Sequence, residues 1–475
     1  MLMIMVVVFL VGYLMIVLEH PLKMNKAGTA LLVGTSLWVM YTYAAPQFIP
    51  KVSADEFGMF LQSFPALSSL SFEEQCTKFV VDHQVLDSIG EISETLIFLI
   101  GAMITVELID AHGGFTFITG HINTKEKRKL LALIATITFF MSAVLDNLTT
   151  SIVMIMLIRK LIGNYRERWV FGSIIIIAAN SGGAWSPIGD VTTIMLWVRG
   201  NISTSSTIPH LILPSIVSAL VPTLIAMRFL HGEVTPPLTL SQDEKGNELL
   251  NRLKNREKLS ILIIGVLCLL FVPVFKTITH LPPFVGILMG VGILWLYTEV
   301  MYARAHIDET LKLRLSKVVH RIDGATLLFF LGILLAVDAL RCSGVLSDFA
   351  VWLDSTVGNV FAVNLIIGAL SSIVDNVPLV AGAIGMYPIA TDAMVAAASD
   401  PVYLASFMQD GVFWQFLAYC AGVGGSMLII GSAAGVVVMG LERINFIWYF
   451  KNISLLALCG YVAGACVYIL QTFIF

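Results

Sequence analysis

Long apolar runs alternate with short polar loops along the chain, many of them close to the ~20 residues a helix needs to cross a bilayer. Runs at about 1–18 and 27–44 predict the first two spans, joined by a short basic loop from His20 to Lys26. Residues 45–87 break the pattern. They are polar and lean acidic through Asp55, Glu56, Glu73, Glu74, Asp82 and Asp87, and predict an extramembrane excursion with one or two surface helices. A third span at roughly 90–110 ends at Asp110-Ala-His-Gly-Gly, and the basic loop Lys125–Lys129 follows it.

Residues 130–158 are apolar except for Asp146-Asn147-Leu-Thr149-Thr150, and they are followed by Arg159, Lys160, Arg166 and Arg168. Short basic loops favour the cytoplasm, so this segment should enter and leave on one side. Its two arms are each too short to cross, which predicts a re-entrant hairpin with Asp146-Asn147 near the tip. Non-helical backbone at that depth survives only inside protein or beside a water-filled cavity. Residues 169–199 form a broken span, interrupted at Asn180-Ser-Gly182-Gly183-Ala-Trp185-Ser-Pro187-Ile-Gly189-Asp190-Val-Thr192-Thr193. Another span covers about 207–229, and the charged stretch 231–258 predicts a cytoplasmic linker.

The second half repeats the layout. Spans at 259–276 and 283–299 precede a basic loop (Arg304, Lys312, Arg314, Lys317, Arg321) and a span at 325–341. A second hairpin, 358–391, is tipped by Asp375-Asn376, and its flanks carry Asp348, Asp354, Asp392, Asp400 and Asp410. A second broken span, 411–441, contains Gly424-Gly425-Ser426 and Gly431-Ser432, and a last span covers roughly 452–474. The segments from Phe98 to Glu107, Ser142 to Asn147 and Gly182 to Asp190 match Phe329 to Asp338, Ser371 to Asn376 and Gly424 to Ser432 in order and spacing. Opposite charge bias on the flanks predicts an inverted repeat: residues 1–230 as one half and 259–475 as the other. The expected fold is an all-α polytopic membrane protein of about ten spans and two hairpins, with both termini outside.

Composition agrees. The 475 residues are 57% hydrophobic and 13% charged, against about 25% charged in soluble domains. A net charge of −4, with no basic stripe, argues against a nucleic-acid partner. The start lacks a basic n-region and a cleavage site, and is read as a retained span. The six cysteines form no C-x-x-C pair and read as packing residues.

A carboxylate at bilayer depth costs at least ~2.5–3.5 kcal/mol and by default marks an ion path. Asp146-Asn147 and Asp375-Asn376 are therefore expected as paired tips near the midplane, with Asp190, Thr192 and Thr193 from one broken helix and Ser426 and Ser432 from the other. Such oxygen-rich groups beside unwound backbone suit hard cations. The same carboxylates take protons, so cation and proton would compete. Capping of half-helices by Asp146, Asp190 and Asp375 is the plainer alternative, and the two roles are compatible. Thr149 and Thr150 read as hairpin-stabilising hydroxyls and Asn180 as a ligand or a backbone-bonding residue at the break. Glu107 and Asp338, at matching positions, are candidates for proton access or solvated helix ends. Glu91 and Glu94 suit an outer vestibule or the interface, His83 and His210 ordinary surface positions, and Trp185 packing.

With the Asp-Asn tips, the Gly-Gly-x-x-x-Pro-Ile-Gly-Asp-x-Thr-Thr break and the opening from Leu18 to Lys26 in view, the chain resembles the NhaD-type sodium/proton antiporters. These belong to the ion transporter superfamily, with arsenite permeases and sodium/dicarboxylate carriers. The resemblance implies a bacterial inner-membrane exchanger of Na⁺ or Li⁺ for H⁺, without a cofactor, working as a homodimer with an elevator-like transport domain. The family's cation-site residues carry over to Ser142, Asp146, Asn147, Asn180, Asp190, Thr192, Thr193, Asp375, Asn376 and Ser426. Where many superfamily members place Asn and Thr within the break, this chain has Gly182-Gly-Ala-Trp-Ser-Pro187.

The rival reading is an anion or oxyanion carrier of the same superfamily, whose substrate would meet two Asp tips. An intramembrane aspartyl protease would need a Gly-x-Gly-Asp or Tyr-Asp motif, and the chain has neither. A channel is the remaining alternative. The expected class is a transporter rather than an enzyme.

Overall fold

The computed structural model describes residues 1–17, 24–115, 124–235, 253–304, 312, 315–373 and 375–474. Residues 18–23 of the first basic loop, most of the 231–258 linker, part of the loop after Arg304, and Val374 lie outside the described residues. In chain order the helices are α1 (Leu2–Val17), α2 (Lys26–Val52), α3 (Ala54–Ser63), α4 (Phe72–Ala111), α5 (Lys127–Leu145), α6 (Asn147–Leu161), α7 (Tyr165–Ala184), α8 (Val191–Val198), α9 (Thr204–Phe229), α10 (Asn255–Thr279) and α11 (Pro283–Arg304). There follow α12 (Leu315–Val319), α13 (Gly324–Cys342), α14 (Val345–Thr356), α15 (Val360–Ser371), α16 (Asn376–Met386), α17 (Asp392–Ala397), α18 (Pro401–Ala405), α19 (Val412–Gly424), α20 (Ala433–Glu442), α21 (Phe446–Asn452) and α22 (Ser454–Ile474).

Seven of the described helices are long and apolar enough to cross a membrane, or up to nine if the bent pairs α14–α15 and α20–α21 each count as one span. The chain is an all-α polytopic membrane protein. The expectation of about ten spans differs because α1 has 16 residues and the two broken spans are divided: α7 (20 residues) stops before the eight-residue α8, and α19 has 13 residues. The surface excursion is also narrower than 45–87. α2 continues through Pro46 and Pro50 to Val52, and α4 begins at Phe72 behind a Ser71–Glu74 capping box.

The chain divides into two compact units. The first comprises Met1–Leu96, Asp323–Val363 and Val377–Phe407; the second comprises Ile97–Ile322, Asn364–Asn376 and Met408–Phe475. In the first unit α2 and α13 touch backbone to backbone, because a Cβ on Gly34 would meet the Gly332 carbonyl and one on Gly332 would meet Ala30 and Leu31. Around this pair a core forms from Met5, Leu37, Tyr41, Phe57, Phe79 and Leu340, and the Tyr41 hydroxyl donates to Gln84 at 2.8 Å.

The second unit is built on α5, α7 and α9, with α22 packed on α9 where Gly460 and Gly464 let the chains meet. Its two broken helices, α7–α8 and α19–α20, are tied at both ends in antiparallel sense. At one end the buried Glu442, closing α20, accepts from Arg159 at 2.6 Å and Arg168 at 2.8 Å, next to the start of α7. At the other, just after α8, Ser203 N–H donates to Asp410 Oδ1 at 2.6 Å and Asp410 N–H to the Asn201 carbonyl at 2.9 Å, just before α19. Removing one partner of a buried pair leaves uncompensated charge. Glu442→Ala is therefore expected to destabilise the protein by about 3 kcal/mol, the low end of that range because Arg159 is 43% exposed. Thermal melting in detergent reads it, and an unchanged midpoint would contradict it.

Candidate functional site

The first Asp-Asn pair joins α5 to α6. Asp146 takes φ +72°, a conformation that costs a non-glycine residue about 1–3 kcal/mol. There its carboxylate caps α6, accepting from the Thr149 N–H at 2.7 Å and the Thr149 hydroxyl at 3.0 Å. The side chain is half-buried, and Asn147 beside it is buried. Thr149 thus supports the hairpin. Thr150 Oγ1 is buried without a hydrogen-bond partner among the described residues.

The first broken helix stops at Ala184 and restarts behind Asp190, which is 1% exposed. Asp190 Oδ1 accepts from the N–H and hydroxyl of Thr192, both at 2.9 Å, while the Thr193 hydroxyl donates to the Asp190 carbonyl at 2.9 Å. Its other oxygen is turned inward. Oδ2 accepts from Asn147 Nδ2 at 2.6 Å, and Asn376 Nδ2 stands 3.4 and 3.5 Å from the two oxygens. One buried carboxylate therefore receives the amides of both Asp-Asn pairs.

Asn180, fully buried, extends the network. Its Oδ1 accepts from Asn147 Nδ2 at 3.1 Å, and its Nδ2 donates to Ser426 Oγ and Ser432 Oγ, both at 2.9 Å. Asp375 is half-buried and within electrostatic range of Asp190, as Asp190 is of Asp146. The hydrogen-bond partners of Asn147 and Asn180 are amides, hydroxyls and the one Asp190 carboxylate, and those of the Asp190 carboxylate are amides, a hydroxyl and a backbone N–H. No group of three His, Cys, Asp or Glu side chains among the described residues is spaced to hold a metal, so amide and hydroxyl oxygens would have to complete any cation's shell.

The matched segments share three contacts at equivalent positions. Ser142 Oγ donates to the Ala179 carbonyl at 2.6 Å, and Ser371 Oγ to the Ala421 carbonyl at 2.8 Å. A Cβ on Gly182 would strike the Phe139 carbonyl, and one on Gly424 the Gly368 carbonyl. Asp190 caps α8 from φ −145°, ψ 150°, and Ser432 caps α20 from φ −143°, ψ 153°. The two copies differ in chemistry: Asn180 and Asp190 stand where the other has Gly422 and Ser432.

Ser142, Asn147, Asn180, Asp190, Thr192, Thr193, Asn376, Ser426 and Ser432 are thus brought together, with Asp146 and Asp375 at the edge of the cluster. Glu107 and Asp338 each face an arginine instead: Glu107 lies 3.2 Å from Arg321 in the second unit, and Asp338 lies 3.1 Å from Arg341 in the first. Glu91, 3.5 Å from Arg341, lines a cavity of about 850 Å³ in the first unit with Glu56, His83 and Asp87. His210 bonds the Ser206 carbonyl at 2.7 Å, and Trp185 stacks on Phe139. The sequence reading passed over Ser371, although its match to Ser142 marks it. It also passed over Glu442, whose signal was an acid at the end of an apolar run.

Residues 2–409 match the family model CitMHS, described as "Citrate transporter". The chain is 42% identical over 98% of its length to sodium/proton antiporter 1 of Arabidopsis thaliana, covering 72% of that protein, and 40% identical to sodium/proton antiporter 2 of the same plant, with 98% of each covered. It is also 27% identical to the Na(+)/H(+) antiporter NhaD of Vibrio cholerae, covering 98% of this chain and 90% of that one. These relatives come from a plant as well as from bacteria. A match of this extent makes the chain a member of the NhaD-type sodium/proton antiporter family within the ion transporter superfamily.

Proposed function

We propose that the protein exchanges Na⁺ or Li⁺ for H⁺ across its membrane, with cation and proton competing for the carboxylates around Asp190. The observation that carries this is the convergence of Asn147 and Asn376 on one buried carboxylate, with Asp146 and Asp375 in electrostatic range. Asp190 lies within electrostatic range of Asp146 and of Asp375, and either a bound cation or a proton relieves that like-charge repulsion. Asp190, Asn180 Oδ1 and the hydroxyls of Ser426, Ser432 and Thr192 would supply hard oxygen ligands. Ser142 holds the hairpin against the broken helix. Asp146 and Asp375 flank the site as half-buried carboxylates, Asp146 also capping α6. The antiparallel ties between the broken helices support two oppositely inserted copies, the arrangement through which secondary transporters alternate access. The relatives named sodium/proton antiporters agree with this reading.

The family description "Citrate transporter" raises the anion alternative. A tricarboxylate at this cluster would meet three like charges, and that disfavours it. In everted vesicles from cells lacking their own exchangers, Na⁺ or Li⁺ is expected to collapse a preformed pH gradient. Asp146→Asn and Asp375→Asn should each abolish the response while the protein still reaches the membrane. Wild-type exchange in both variants, or uptake of labelled citrate without a Na⁺ response, would overturn the reading.

A further inference from the structure

An apolar groove of about 270 Å³ runs between α5 and α9 in the second unit. Its floor is made of small residues, Ala132, Ala135 and Ala219, and its walls are Phe140, Leu220 and Leu224, exposed by 53, 48 and 51%. Both helices are long and apolar enough to cross the bilayer, so the groove opens toward hydrocarbon. From Ala132 to Phe140 it follows α5 for about 12 Å at 1.5 Å per residue, which fits within one leaflet of the ~30 Å core.

What sets this groove apart is its end. On α5, Phe140, Thr136 and Ala132 recur every fourth residue and lie on one face, and the next position in that stripe is Arg128. On α9, Ile216, Leu220 and Leu224 do the same, and the next position is Arg228. The two arginines lie at the same end, because Arg128 Nε donates to the Leu230 carbonyl at 2.8 Å and Arg128 Nη2 lies 2.7 Å from His231 Nε2. Neither of these partners is a carboxylate, so they do not offset the charge of Arg128. Arg228 is exposed and has no acceptor among the described residues. Lys127 and Lys129 are taken by Glu167 and Glu126 at 3.0 and 2.7 Å. Even with the exposed Glu233 nearby, the described residues of the rim carry a net positive charge.

We propose that this groove binds one anionic phospholipid, its acyl chain lying along the α5–α9 groove and its phosphate held by Arg128 and Arg228. The basic rim places the site in the cytoplasmic leaflet, where anionic headgroups and basic pockets between spans meet. The site does not depend on which ion is transported.

Native mass spectrometry of the full-length protein in detergent tests it, with phosphatidylglycerol and phosphatidylcholine of identical acyl chains as probes. The expected result is one phosphatidylglycerol per chain retained in preference to phosphatidylcholine. Retention should weaken about fivefold in Arg228→Gln, the loss of one basic residue near an anionic surface. It should weaken at least as much in Thr136→Trp, which fills the groove and leaves both arginines in place. Arg228 is exposed, so its variant is expected to elute as the folded protein even if the tryptophan variant does not. Equal retention of the two lipids, or unchanged phosphatidylglycerol retention in the Arg228 variant, overturns the proposal.

Discussion

Asp190→Asn is expected to remove Na⁺-driven collapse of a pH gradient, by about 100-fold or more, in protein that inserts and elutes normally. The side chains are nearly equal in size, so packing around α8 survives. The chemistry does not. Both carboxylate oxygens accept, Oδ1 from Thr192 and Oδ2 from Asn147, with Asn376 close behind. An amide there must set its own NH₂ against one of those donors. Hydrogen bonds to charged groups are worth about 1.5–3 kcal/mol each, and about 1.4 kcal/mol is tenfold, so losing two such bonds suffices before the charge itself is counted. Ser432→Ala, at the matching position of the other copy, removes a neutral hydroxyl's contacts with Asn180 and with the Gly435 N–H it caps, and about a fivefold loss is expected. Equal, small effects of the two substitutions in the vesicle assay would show that the copies share the load and that Asp190 has no special place.

The second large effect is steric and should appear twice. Gly182→Ala and Gly424→Ala each drive a methyl into a backbone carbonyl, of Phe139 in one copy and Gly368 in the other. Carbonyls of packed helices do not yield as side-chain ends do, so each substitution should cost about 1–3 kcal/mol and loosen the hairpin from the broken helix. Folded yield and melting midpoint in detergent should drop by similar amounts in both. Gly292→Ala is the control. Nothing lies within 4 Å of its Cβ position, and it sits inside α11, so the same substitution should leave stability unchanged or raise it by up to about 1 kcal/mol. If all three glycines tolerate alanine alike, the close approach at the breaks is not essential to the fold.

Much of this was legible in the chain. Paired apolar arms around Asp-Asn, and clustered Gly and Pro inside a span, are local signals, and the helices stop and restart at those places. The hub role of Asp190 was not legible. In sequence it is an N-cap residue after a glycine, and only three-dimensional packing brings Asn147 and Asn376 onto its carboxylate. Asp146 shows the converse. Its position at the tip suggested an ion ligand, and the structure shows its oxygens already engaged in capping α6, which leaves ligation to be tested. Glu107 and Asp338 could not be told from solvated end residues, because their arginine partners Arg321 and Arg341 are fixed by the fold. Surface extent was misjudged because the stretch from residue 45 reads as polar, although α2 continues through Pro46 and Pro50 to Val52.

The central claim is that cation and proton occupy the same carboxylate cluster by turns. Initial rates of ²²Na⁺ uptake into proteoliposomes, measured across a range of pH on the cation-binding side, test it most directly. Competition requires the apparent KM for Na⁺ to rise as pH falls, approaching about tenfold per pH unit once the cluster begins to protonate, at constant maximal rate. A KM that stays flat with pH while only the maximal rate changes would mean that the proton binds elsewhere, and would contradict the account.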